Sequence, residues 1–149
     1  MTDLIFQPAR KLARLLRTRK LSAVEVMKAF IAQVERLNPK VNAIVTFLPE
    51  AALKEAKKVD AKRARASGKD ALGPLAGLPI AYKDLVNTKG IRTTLGSLVY
   101  KDNVPKEDAL LVERLRLLQR LLGKEGDDGV HLGVHALDLR DEGVHYFGR

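Results

Sequence analysis

The sequence predicts an α/β chain in which several helices flank two or three strands. Three observations carry that prediction. Four segments repeat apolar residues at helical spacing, at 8–18, 22–37, 49–66 and 107–122. Two short apolar runs, Val41–Phe47 and the stretch after Pro79, have the length and residue types of strands. Prolines and glycines punctuate the joints between them. At 149 residues the chain has the length of one domain.

Each element has a local reason. Pro8 opens the first helix, where a missing N–H costs little, and Leu12, Leu15 and Leu16 form its stripe. The segment Arg10–Lys20 is basic, like a transit peptide, but it runs straight into the next helix and so reads as part of the domain. Ser22-x-x-Glu25 is a capping box, and Ala23, Val26, Met27, Phe30, Val34 and Leu37 follow on one face. Asn38-Pro39 is expected to end that helix, because the residue before a proline avoids the α region. Pro49 starts the third helix, with the narrow stripe Ala52, Ala56 and Val59; Lys54, Lys57, Lys58, Lys62, Arg63 and Arg65 occupy much of the rest. The last helix is expected over Glu107–Leu122. Its stripe is Leu111, Leu115, Leu118 and Leu122, and Glu107 and Asp108 sit in a first turn that the helix dipole favours.

Composition removes several function classes. There is no cysteine, so disulfides and thiolate chemistry are excluded. Aromatics make up 5% and tryptophan is absent, so the core must be built from Leu, Val, Ile and Ala. No apolar run reaches the length of a membrane span, and Met1–Phe6 has no secretory pattern; the expectation is a cytoplasmic protein with no membrane partner. The net charge is +9, made of −4 over residues 125–149 and +13 over the first 124. Such a body can attract polyanions, which keeps a small basic binding protein, for nucleic acid or an acidic partner, as the alternative reading. The 49–66 helix is its best surface. Glu50, Glu55 and Asp60 interleave with the cations there and no aromatic stands ready to stack on bases, so the sequence favours a solvated face over nucleic acid.

The chain is organised around Gly73–Asp84, a Gly/Pro turn that leads into a strand. Ile80 and Tyr82 point to one face of that strand, Ala81 and Lys83 to the other. Lys83 is expected in a buried place, and a buried ammonium group can serve as a base. The plainer reading is an edge lysine whose head reaches solvent. Asn87–Thr94 is a loop around Gly90, and Thr93, Thr94 and Ser97 read as turn residues.

From Gly73 to Ser97 the chain runs GPLAGLPIAYKDLVNTKGIRTTLGS. This resembles the amidase signature family, whose members carry GPLxGxPxxxKD and then G…TT.GS. The likeness extends upstream through Leu21–Val26 and Leu37–Ala43, and downstream through Val104–Pro105 and Glu107–Ala109. It implies the beginning of that family's mixed central sheet, flanked by helices and incomplete. It also implies hydrolysis of carboxylic amide C–N bonds by a serine, a cis serine and a lysine, with no cofactor and no metal. Lys83 corresponds to the family's lysine, which takes a proton from the cis serine. Some members are amidotransferase subunits that supply ammonia for tRNA-linked amide formation.

One departure shapes the expectation. The family's Gly-Gly-Ser-Ser-Gly-Gly-Ser segment has no counterpart here; the only serines are Ser22, Ser67 and Ser97. The expectation is therefore a truncated amidase form that carries only the lysine and is inactive alone. Residues 1–116 are its amidase-like region and 117–149 a divergent Gly/His-containing tail. In the tail Gly-Val-His recurs at 129–131, 133–135 and 143–145, without a periodicity that supports an element. His131 and His135 are four apart, but Gly129 and Gly133 weaken any helix that would pair them on a metal. Strands without neighbours favour self-association.

Overall fold

The computed structural model describes residues 2–65, 73–119 and 133–136. Five helices and three strands follow in the order α1 (Thr2–Ile5), α2 (Ala9–Arg17), α3 (Ala23–Val41), β1 (Ile44–Thr46), α4 (Pro49–Arg65), β2 (Ile80–Lys83), α5 (Leu110–Gln119) and β3 (Gly133–Ala136), with a short 3₁₀ turn at Leu98–Tyr100 before α5. The α/β prediction holds.

The helical layer forms where its patterns place it, except on α3: Ala23, Val26 and Met27 are buried as expected, whereas Phe30, Val34 and Leu37 are half-buried and Ala29 and Ile31 are buried in their stead. Leu12 and Leu16 are buried on α2. That helix closes with Arg19 in the left-handed region, while the Arg19 and Lys20 amides donate to the Leu16 and Leu15 carbonyls. The capping box on α3 is complete: the Glu25 amide donates to Ser22 Oγ at 3.1 Å and the Ser22 amide to Glu25 Oε2 at 2.8 Å. Glu25 is held below its ordinary value by the Ser22 backbone and hydroxyl donors, in that order. Ala52, Ala56 and Val59 are buried on α4, as expected. They join Leu12, Leu16, Ala23, Val26, Met27, Ile31, Ala76 and Leu78 in one core.

Three boundaries differ from expectation, the first being the strand expected over Val41–Phe47, which is confined to Ile44–Thr46 because Val41 is still helical. α3 passes through Pro39 and ends at Val41. Asn38 explains this: its carbonyl accepts from the Asn42 amide at 2.7 Å, and its side chain bonds both the amide and the carbonyl of Ile44. These bonds hold Asn38 helical against the proline's preference, and Asn42 closes the helix in the left-handed region. α5 begins at Leu110, not at Glu107. Asp108 lies ahead of the helix because its carboxylate is already engaged, accepting from the Lys89 amide at 2.7 Å and pairing with Arg116 at 2.8 Å.

The expected stripe of α5 is also displaced. The buried residues are Val112, Arg116 and Gln119. Leu111 and Leu118 are exposed and Leu115 is half-buried; Leu122 lies outside the described residues. The buried polar anchors, not the leucines, set the rotation of this helix.

The three strands form one mixed sheet in the order β1-β3-β2. β3 runs antiparallel to β1 and parallel to β2, with Tyr82 opposite His135 and Lys83 opposite Ala136. β3 comes from the tail, where local pattern supported no element. Two open strand ladders on either side supply the pairing that its own sequence does not advertise. The helical spacing weighed for His131 and His135 does not hold, since His135 lies in this strand; His131 lies outside the described residues.

Candidate functional site

The loop Gly73–Leu78 aims β2, and it is fastened from both sides. Its own turns close through Ala76 N–H to Gly73 O and Leu78 N–H to Leu75 O. From α4, Arg63 Nη2 donates to the Ala76 carbonyl at 3.3 Å. From α5, Gln119 Nε2 donates to the Leu78 carbonyl at 3.1 Å, and the Leu118 carbonyl accepts from the Leu75 amide at 3.1 Å. Gly77 is the residue that permits the approach. Its φ is +84°, and a Cβ there would stand 3.0 Å from the Ala23 Cβ, with Leu16 and Val59 at 3.5 Å. Both the backbone and the packing demand glycine.

On β2 the alternation is as predicted: Ala81 is exposed and Tyr82 buried. Burial pushes the Tyr82 hydroxyl up, opposed by the Arg116 cation and reinforced by Asp108. Lys83 lies on the face opposite Tyr82, at the carboxyl end of a strand that runs parallel to its neighbour. That end is where α/β sheets place their sites. Lys83 is half-buried rather than sequestered. The strand stops at it and turns at once, with the Val86 amide donating to the Lys83 carbonyl at 2.9 Å, so the side chain stands at the rim of the sheet.

Asp84 has a clear role. It is 4% exposed, not a surface carboxylate. Its Oδ1 accepts from the Thr94 amide at 2.9 Å, and its Oδ2 from the Thr94 hydroxyl and from the Gly96 amide at 3.4 Å. Its carbonyl accepts from Leu95 N–H at 3.1 Å. Leu95 and Gly96 both have positive φ, 54° and 67°. A leucine in that region is strained, and the bonds to Asp84 offset the strain. Thr93 is fully buried, with its hydroxyl on the Ile91 carbonyl and its backbone tied to Asn103. Ser97 Oγ accepts from the Val99 amide and caps the 3₁₀ turn. Thr93, Thr94 and Ser97 are therefore turn residues, as the sequence indicated. Thr46 and Arg92 fasten the same loop to β1, through the Arg92 and Val45 carbonyls respectively.

The described residues bring together a lysine at a strand end and a loop pinned beside it by the next residue. They do not bring a serine to it as a free nucleophile: Ser22 caps α3 and Ser97 caps a turn, while Ser67 lies outside the described residues. Among the described residues no group of three His, Asp or Glu is placed to hold a metal. No described helix is long and apolar enough to cross a membrane. Sequence reading missed Arg63, Asp108, Arg116 and Gln119 as the anchors of the site. A signal existed for the first: Arg63 continues the buried stripe one turn beyond Val59. Its burial depresses its proton affinity, against the attraction of Asp60.

A family model described as Amidase matches residues 25–121. The A-subunit of glutamyl-tRNA(Gln) amidotransferase from Carboxydothermus hydrogenoformans is 42% identical over 114 residues, 76% of this chain and 23% of the relative. Its counterpart from Streptomyces coelicolor is 38% identical over 134 residues, 89% of this chain and 26% of the relative. The chain thus spans about a quarter of the length of these relatives. Among solved structures, a fatty acid amide hydrolase overlays with a TM-score of 0.72 at 26% identity, covering 80% of this chain and 21% of that one. A peptide amidase in complex with chymostatin overlays with a TM-score of 0.67 at 29% identity, covering 78% and 23%.

Proposed function

The chain belongs to the amidase family, and from that premise we propose that it is the lysine-bearing part of an amide hydrolase, with Lys83 as the base. In this reading Lys83 takes a proton from a cis serine, which in turn activates a nucleophilic serine. The nucleophile attacks the carboxylic amide carbonyl, backbone N–H groups hold the oxyanion, and water releases the acyl group. The observation that carries the reading is the seat of Lys83. It stands at the carboxyl end of β2, inside the family's motif, between a loop clamped by α4 and α5 and a turn pinned by Asp84.

The serines of that relay are not in these 149 residues in a Gly-Ser-Ser-Gly setting. A base without a nucleophile is not a triad, so the chain alone turns over no amide. Residues 1–116 form the amidase-like region. Residues 117–149 form a divergent tail, of which Gly133–Ala136 fills the sheet. The named relatives are A-subunits of glutamyl-tRNA(Gln) amidotransferase, which supports an amidotransferase component that works with other subunits. Among the described residues β1 and β2 pair only with β3, which supports self-association of the isolated chain through their outer edges.

The test is an amide-hydrolysis assay on the chain alone, with glutamine and a set of linear amides, beside Lys83→Ala. No turnover by either is the expected result. Turnover abolished by Lys83→Ala would overturn the inactivity and keep the base. Turnover that survives Lys83→Ala would remove Lys83 from the chemistry.

A further inference from the structure

The cations of α2 stand without counter-charges. From Leu4 to Val24 the chain holds four arginines and two lysines, and no aspartate or glutamate. At 3.6 residues per turn Arg10, Arg14 and Arg17 fall within an arc of about 60°, opposite the buried Leu12 and Leu16, and span about 10 Å of the helix. All three are exposed, as are Lys11, Arg19 and Lys20. Among the described residues Arg10, Lys11, Arg14, Arg17 and Lys20 form no ion pair. Helix stability accounts for only part of the row. Arg14 and Arg17 suit the dipole in the last turn, whereas Arg10 and Lys11 oppose it in a first turn that has no acidic residue. On α4, by contrast, Lys58 pairs with Glu55 at 2.6 Å and Arg63 with Asp60 at 3.6 Å.

Two neighbours extend the row. Phe6, in the turn ahead of α2, is 76% exposed. Beyond the other end Arg19 Nη2 donates to the Arg63 carbonyl at 2.9 Å, which brings the last turn of α4, with its exposed Arg65, beside it. The result is a line of guanidinium groups with a bare aromatic ring at its head. Guanidinium forks match phosphate oxygens two at a time, and a ring open to solvent can take an unstacked base on its face. We infer that this face of α2, together with Phe6, binds a single strand of nucleic acid, with the arginines on successive phosphates and Phe6 stacked on a base. A membrane surface fits less well. The apolar face of α2 is already in the core, with Leu12 and Leu16 buried, so nothing is left to insert. The bare ring likewise favours bases over an acidic peptide. The inference rests neither on family membership nor on the role of Lys83.

The test titrates the full chain into labelled RNA and DNA single strands of about twelve nucleotides and follows fluorescence anisotropy across a salt series. Binding to at least one strand is expected, falling linearly with the logarithm of salt concentration; the tighter strand identifies the source. Arg10→Ala with Arg14→Ala and Arg17→Ala should weaken binding about tenfold or more and flatten the salt slope by about 2, the share of three phosphate contacts. Lys54→Ala with Lys57→Ala and Lys58→Ala removes the same charge from α4 and should weaken it far less. Phe6→Ala should weaken binding about fivefold or more with the slope unchanged, and Phe6→Tyr should restore it. Circular dichroism checks that each variant folds. Lys83→Ala should bind like the parent, which separates this result from any failure of the catalytic reading. The inference is overturned if neither strand binds, if the two triple variants lose equally, if Phe6→Ala is without effect, or if anionic vesicles or polyglutamate bind as tightly as the strands.

Discussion

α4 and α5 hold the same loop from two sides, and they do so with opposite faces. α4 buries the alanines and valine of its stripe, exposes Lys54, Lys57 and Lys58, and sends Arg63 to the Ala76 carbonyl. α5 buries Arg116 and Gln119, exposes its leucines, and sends Gln119 to the Leu78 carbonyl. The first is a finished element whose apolar face has met its core. The second is held by polar anchors while its apolar face still looks outward. The difference teaches that anchoring and burial are separate decisions. A helix settles by its stripe only where a core is there to receive it.

Four perturbations test that contrast, beginning with the largest. Asp108→Ala strips a buried Arg116 of its carboxylate, and it should cost about 3–5 kcal/mol in urea unfolding. A loss below ~1 kcal/mol would mean that α5 is not anchored by this pair. Gly77→Ala combines a left-handed backbone with a Cβ pressed against Ala23, and should cost about 2–4 kcal/mol; an unchanged midpoint would show that the loop can open away from α3. On the finished side, Asp60 accepts from the Ala23 and Val24 amides at 2.8 and 3.0 Å. Asp60→Ala should cost about 1–2 kcal/mol, the range of a lost helix cap, and no loss would show that the Ser22 box suffices alone.

The smallest effect is a pH dependence. Glu25 is held low in the folded state by Ser22. Its contribution is thus fully present above the ordinary carboxylate value and is lost as pH falls through the lowered folded value. The thermal midpoint should decline across that acidic window, and Glu25→Gln should flatten the decline. Superimposable profiles would remove Glu25 from the account.

Much of this was legible in the residues. The stripes of α2 and α4, the first half of the α3 stripe, the capping box and the alternation of β2 all follow from period and chemistry. The place of Lys83 inside its motif comes from the family resemblance instead. The rest depends on partners distant in sequence. Pro39 stays in α3 because Asn38 bonds Ile44. β3 exists because two ladders flank it. The buried face of α5 follows from Asp108 and Leu78, which no local pattern reveals. The burial of Asp84 depends on the turn at Thr94–Gly96, ten to twelve residues on, folding back over it.

The central claim is that Lys83 is the base of an amidase site, and a chimera tests it most directly. Residues 25–121 of this chain would replace their counterpart in the full-length Carboxydothermus hydrogenoformans relative, and amide hydrolysis would be measured with and without Lys83→Ala. The account predicts an active chimera that loses about 10²-fold or more on removal of the lysine. An active chimera indifferent to Lys83→Ala would contradict it.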